Sequence, residues 1–201
     1  AFAFTSRAGL FNIGIEGQFV FGALTGALVG HFLSLPVVIH PIVILICAFV
    51  AGGLWGLLSG VLKAKFGIHE VISTIMLNWI AHYFNNFIVN LPSVKVPNTL
   101  HSNHILDSAK INFFSTEWRR SEEGRAFIME NPVLGDIVRT DLGYGIFIAI
   151  LVAIILWFVL NHTKRGFEVR AVGLNRHAAE FSGISVDKNI MFTMFVSGGI
   201  A

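Results

Sequence analysis

Amide and carboxylate side chains stand at two places in this chain where the surrounding sequence is otherwise apolar. The first is Gly9-Leu-Phe-Asn12-Ile-Gly14-Ile-Glu16-Gly17-Gln18, where Asn12, Glu16 and Gln18 alternate with glycines just ahead of an apolar run. Each glycine inside a helix costs up to ~1 kcal/mol relative to alanine, so a regular helix is weakened here. Two readings are open. The freed backbone and polar groups line a cavity, as in interrupted transporter helices, or the segment is a cytoplasmic loop whose Asn or Glu favours a helix N-terminus. The second place lies within 67–91 and carries His69, Glu70, Ser73, Thr74, Asn78, His82, Asn85 and Asn86. At helical spacing Glu70, Thr74, Asn78 and Asn85 fall on one face, which must meet protein or water because polar groups facing lipid cost several kcal/mol. Such a face would line the path of a polar solute, or it would hold helices together by hydrogen bonds. Glu70 also stands close enough in sequence to reach water or pair with Lys63 or Lys65.

Residues for covalent or hydrolytic chemistry are not assembled in the sequence. There is no G-x-x-x-x-G-K-[ST] loop, so this chain does not itself hydrolyse ATP, and neither G-x-S-x-G nor H-E-x-x-H occurs. An enzyme built on Glu70 with His69 or His82 fits poorly, because His82 is about 18 Å further along a helix and His69 projects elsewhere. His101 and His104 lie three apart without a cysteine nearby, and a metal site is not expected there; Asn161-His-Thr163 matches a glycosylation sequon by chance, at a membrane edge on the inside. Cys47, the single cysteine, lies in an apolar run as a packing residue and excludes an intramolecular disulfide. No cofactor or metal is expected in the chain.

Composition sets the class of element that must position these groups. Of 201 residues 54% are hydrophobic and 13% charged, with 19 Phe and a mean hydropathy of +0.71, whereas roughly a quarter of residues are charged in soluble domains. An all-α polytopic membrane protein, a bundle of transmembrane helices, is expected. Crossing takes about 20 apolar residues. The expected spans are about 18–35, 37–62, 67–91, 143–161 and a truncated 189–201, with the residues before Glu16 ending an earlier span or re-entering the membrane. Gly22, Gly26 and Gly30, and again Gly52, Gly56 and Gly60, line single helix faces and let another backbone approach closely. The chain opens on Ala without a signal-peptide pattern and closes inside an apolar run, so an internal fragment of a longer chain is expected. A net charge of +2 without a basic patch gives no reason to expect nucleic acid.

Orientation follows from the basic residues. Lys63 and Lys65 follow the second span, and Lys164, Arg165, Arg170, Arg176 and Lys188 fill the polar interval 162–188 after the fourth. Helix parity puts both on one side, and positive short loops mark the cytoplasm. The segment 92–142 then lies outside; its six basic and seven acidic residues do not overturn this, since long loops cross largely regardless of charge. It reads either as a small ordered excursion, with a helix over 132–138 and with Trp118, Arg119 and Arg120, or as a connector.

The polar interval carries its own helical pattern, with Gly173 and Asn175 leading into Ala178-Ala179 and Gly183. That spacing resembles the coupling loop of permease subunits in ATP-binding-cassette importers. Together with Asn12-Ile-Gly-Ile-Glu-Gly-Gln18, Glu70-Val-Ile-Ser-Thr-Ile-Met-Leu-Asn78 and Arg170-Ala-Val-Gly-Leu-Asn175, the chain resembles the branched-chain amino acid and simple-sugar permease family, nearest its simple-sugar and nucleoside branch. The resemblance implies a multi-pass subunit in the plasma (inner) membrane of a prokaryote. It implies partners too: a second permease subunit, an ATP-binding subunit on the cytoplasmic loop and an external solute-binding protein, with ATP and Mg on the ATPase. Coupling would fall to Gly173, Asn175, Ala178, Ala179 and Gly183. Position 177, often Glu in that pattern, is His here, so an ion pair from it is not expected. The path for a nucleoside or simple sugar would be lined by Asn12, Glu16, Gln18, Glu70, Thr74, Asn78 and Asn85. The alternatives are an ion-coupled secondary transporter and a branched-chain amino acid permease of the same importer class.

Overall fold

The computed structural model describes residues 1–96, 105–109, 118, 121–130 and 145–201. The expected helix over 132–138, and His101, His104, Arg119 and Arg120, lie outside the described residues. The helices are α1 (Phe2–Ser6), α2 (Ile15–Phe32), α3 (Ile39–Phe66), α4 (Glu70–Val89), α5 (Glu122–Glu130), α6 (Gly145–His162), α7 (Lys164–Leu174), α8 (Arg176–Phe181) and α9 (Val186–Gly199), with a 3-10 turn at Asp107–Ala109. The chain divides into two compact units, 1–109 with 156–201, and 110–155.

In the larger unit α3 is the central element, and its glycines explain why. A Cβ placed on Gly56 would strike the carbonyl oxygen of Met194, and one on Gly52 would lie 2.5 Å from that of Gly198. Only hydrogen at these positions lets α9 lie backbone to backbone on α3. On another side a Cβ on Gly22 would lie 3.3 Å from the Ala48 carbonyl oxygen and one on Gly26 3.4 Å from Ile44 Cγ2, so α2 seats closely against the first half of α3. The glycine stripes read from the sequence are therefore packing seams. α4 returns antiparallel after a tight reversal, where Gly67 at φ +67 lets its own N–H reach the Lys63 carbonyl and that of Ile68 reach Leu62. That αL residue satisfies the last carbonyls of α3. Lys63 and Lys65 in the same turn suit the negative end of the dipole.

A small apolar core of Ala8, Leu10, Val169, Ile190 and Met194 ties the turn after α1 to α7 and α9. α6 behaves differently, being apolar throughout with none of its residues buried. Among the described residues, α3 and α6 are long and apolar enough to cross a membrane. α2 and α4, expected as spans 18–35 and 67–91, have polar side chains distributed along them and fall short of that apolarity. In the smaller unit α5 starts with Glu122 and Glu123 in its first turn, and the Ser121 hydroxyl accepts from the Gly124 N–H at 3.1 Å.

Candidate functional site

Two constructions hold the residues singled out above. The first lies where the loop 10–14 enters α2. The Asn12 Oδ1 accepts from the Gly14 N–H at 2.9 Å, fixing a tight turn, while its Nδ2 donates to Gln18 Oε1 and to Ser197 Oγ, each at 3.0 Å. Gln18 Nε2 returns a bond to Asn12 Oδ1 at 3.3 Å. Asn12 and Gln18 are almost wholly buried, at 1% and 2% exposure. Buried amides of this kind are tolerated only because each finds partners. From α4, Asn78 clamps the same segment: its Oδ1 accepts from the Gly17 N–H at 2.9 Å and its Nδ2 donates to the Ile13 carbonyl at 3.1 Å. The glycines explain the closeness, since a Cβ on Gly17 would lie 2.8 Å from Asn78 Oδ1 and one on Gly14 2.9 Å from Thr74 Cβ.

Asn12, Gln18, Thr74 and Asn78 are therefore brought together. The first two and Asn78 bond across elements, whereas the Thr74 hydroxyl is spent on the Glu70 carbonyl of its own helix at 2.7 Å. Glu16 points outward and meets His82 Nε2 at 3.0 Å, both side chains being exposed. This pair offers a carboxylate and an imidazole to whatever lies beside α2 and α4. Glu70 is separate, holding Lys63 Nζ at 2.7 Å across the α3–α4 reversal, one of the partners anticipated for it. Asn85 is half-buried and lies about 10 Å beyond Asn78 along α4. Ser197 was missed, and nothing in the sequence marks a serine 185 positions away as the partner of Asn12. His82 was weighed only as a companion of Glu70, although its real neighbour Glu16 carries the same signal of a charge beside an apolar run.

The second construction is the elbow after α6. Thr163 caps α7 by accepting from the Gly166 N–H at 3.1 Å. At the other end Gly173 packs against the Arg7 carbonyl, and Gly9 approaches the Gly173 carbonyl, so α7 is held on the turn after α1. Asn175 breaks the helix and begins the next, its Oδ1 accepting from the Ala178 N–H at 3.1 Å. Such an N-cap contributes about 1 kcal/mol. Gly183, at φ +78, closes α8 with the Ile184 N–H on the Ala179 carbonyl at 3.0 Å. Of the coupling residues named from the pattern, Gly173 and Ala179 thus face inward, Asn175 and Gly183 shape the turn, and Ala178 faces out. The outer surface belongs to residues the pattern did not flag: Leu174 and Phe181 are 89% and 93% exposed. Two apolar side chains so open stand on a turn closed by the Asn175 cap and by Gly183, where a partner could cover them.

Comparison with known proteins shows the family. The chain matches, over residues 1–201, the family described as branched-chain amino acid transport system / permease component, and it belongs to that family. It is 42% identical over 202 residues to the guanosine ABC transporter permease protein NupP of Bacillus subtilis, covering 100% of this chain and 52% of that protein. It is 32% identical over 205 residues to the nucleoside ABC transporter permease protein NupB of Lactococcus lactis, with the same shares of 100% and 52%. A glucose ABC transporter permease, TsgB13 of Haloferax volcanii, is 29% identical over 196 residues, covering 97% of this chain and 48% of its own length. The chain spans about half the length of the curated relatives it matches. No solved structure matches it. The described elements are all helices, as in a family of membrane permeases, and the nucleoside and sugar names of these relatives accord with the branch its motifs resemble.

Proposed function

We propose that the chain forms part of the translocation path of an ATP-driven importer for a nucleoside or a simple sugar, and that it takes its drive from a separate ATPase through the α7–α8 elbow. The names of the relatives support the solute class. In this reading α2, α3, α4, α6 and α9 cross the plasma membrane, 162–188 faces the cytoplasm and 92–142 faces out toward a solute-binding protein. A second permease subunit completes the path. ATP and Mg stay on the ATPase, and this chain supplies no catalytic group.

The observation that carries the reading is the exposure of Leu174 and Phe181 on a turn pinned at both ends. A groove on the ATPase would receive them with Ala178. Movement of α8 then passes through Gly183 into α9, which is seated on α3 and whose Ser197 bonds Asn12. From Val186 to Ser197 the helix runs about 16 Å, so displacement at the elbow is delivered to the buried Asn12–Gln18 pair and the exposed Glu16–His82 pair beside it. In the full-length permease, Phe181→Asp should abolish uptake of labelled guanosine and the stimulation of ATP hydrolysis by loaded binding protein, with melting of the isolated permease unchanged. An assembled complex carrying Phe181→Asp that takes up solute like the wild type refutes the coupling role.

A further inference from the structure

Beside the elbow, at the start of α7 and α9, lies a cavity of about 320 Å³ whose charged lining is Lys164, Arg165, Glu168 and Lys188, with Ser185 at its rim. The Glu168 carboxylate is already engaged, its Oε2 taking Arg165 Nη1 at 3.3 Å and Asn189 Nδ2 at 3.4 Å. Lys164 and Lys188 form no ion pair among the described residues. Two uncompensated cations therefore face one space. α9 begins at the same rim: Ser185 makes no side-chain cap, so first-turn N–H groups stay available there, although Asp187 in that turn offsets part of the dipole's positive end.

The depth of the cavity is set by α6. Its last turn places Trp157 and Phe158, both more than half exposed, against His162 with ring centroids 5.3 Å away in each case. Exposed aromatic rings at the end of an apolar helix mark the membrane–water interface, and Lys164 follows two residues later. The cations thus lie at the level of the lipid phosphates. The exposed rings of Trp157 and Phe158 offer acyl chains a surface leading away from the cavity.

We propose that this cavity binds the phosphodiester of an anionic glycerophospholipid, with Lys164 and Lys188 as its ligands and α9 supplying backbone donors. Basic pockets at this level hold anionic headgroups by charge and by access from the bilayer. The proposal uses only the membrane location of the family, so its failure leaves the importer reading untouched.

The test uses the full-length permease reconstituted in phosphatidylcholine vesicles, with spin-labelled phosphatidylglycerol or phosphatidylcholine as the probe. The wild type should hold back several-fold more of the labelled phosphatidylglycerol. Lys164→Gln and Lys188→Gln should each lower that preference by up to roughly fivefold, and the pair should bring it to parity. The Lys→Arg pair should keep it, and Lys65→Gln, an exposed cation elsewhere on the same side, should change it less than twofold. Wild-type parity overturns the proposal, as does an equal loss in Lys65→Gln, which would mean diffuse surface charge. Millimolar inorganic phosphate displacing the labelled lipid when chloride at matched ionic strength does not would assign the cavity to a free anion and overturn the lipid source.

Discussion

Replacing Gly56 by Ala should damage this protein more than the same change at Gly26, although both glycines sit in stripes of identical spacing. At Gly56 a Cβ would coincide with the space of the Met194 carbonyl oxygen and lie 3.2 Å from the Gly198 Cα. Both are backbone atoms of α9, so no rotamer change relieves the overlap and the helices must separate. Two carbons prefer about 3.5–4.0 Å, and a gap of 0.5–1 Å opened along the rest of the seam forfeits a quarter to a half of each contact there. Overpacking of this kind costs about 1–3 kcal/mol, partly offset by up to ~1 kcal/mol from the better helix propensity of Ala. At Gly26 the nearest atom to a Cβ is the Ile44 Cγ2 side-chain methyl at 3.4 Å, an ordinary contact, so only the propensity gain remains. One kcal/mol shifts the melting temperature by roughly 2–4 °C at 150–250 residues and by less in a longer chain, so Gly56→Ala should lower that of the purified full-length permease by about 1–3 °C while Gly26→Ala leaves it level or raises it. If Gly56→Ala melts at or above the wild type, or Gly26→Ala melts below Gly56→Ala, α3 and α9 are not in backbone contact and the seam is wrong.

The ion pair at the α3–α4 reversal makes a two-step prediction. Lys63→Met strands the Glu70 carboxylate, which is 8% exposed, and should cost about 3–5 kcal/mol in a melt, most of it regained in Lys63→Met with Glu70→Gln; a single variant that melts like the wild type refutes the pairing. Asn78→Ala removes the partners of the Gly17 N–H and the Ile13 carbonyl and should cost about 1–2 kcal/mol, with Asn78→Asp falling between because it can still accept from Gly17 but not donate to Ile13. Equal melting of the Asp and Ala variants would show that the Gly17 bond does not contribute.

What the sequence disclosed was local, and what it withheld was pairing. Glycines four apart announce a close approach because spacing alone puts them on one face, but which helix approaches is settled by residues such as Met194 and Gly198, some 140 positions on. Polar residues in an apolar run announce a role, and Asn12, Gln18 and Asn78 were all picked out this way. The sequence left open whether they face a cavity or one another. Each amide needs up to four partners, and the folded chain supplies most of them internally, so these three build the entrance to α2 while Glu16 and His82 keep exposed groups. The elbow was found through small residues, which mark where backbone must pack or turn. Its outward surface was missed for the same reason: Leu174 and Phe181 are large and isolated, and a pattern of small residues is blind to them. Orientation came from lysine and arginine placement, which packing within one chain does not test.

The two kinds of glycine also separate what can bend from what must stay rigid. Gly52 and Gly56 are needed for space, and α3 and α9 cannot shift along their seam without driving backbone atoms together, so these helices behave as one body. Gly183 is the reverse case: a Cβ there would meet nothing within 4 Å, and the residue is required only for its φ of +78. An L-residue forced into that region costs about 1–2 kcal/mol, a conformational penalty that leaves every contact in place. If the elbow transmits movement, the flexing must therefore occur between the end of α8 at Phe181 and the start of α9 at Val186, outside both packed segments. Gly183→Ala would stiffen and strain that link while Gly56→Ala would loosen the body it drives. The two variants should therefore part company, the first impairing transport more than melting, the second impairing melting at least as much as transport.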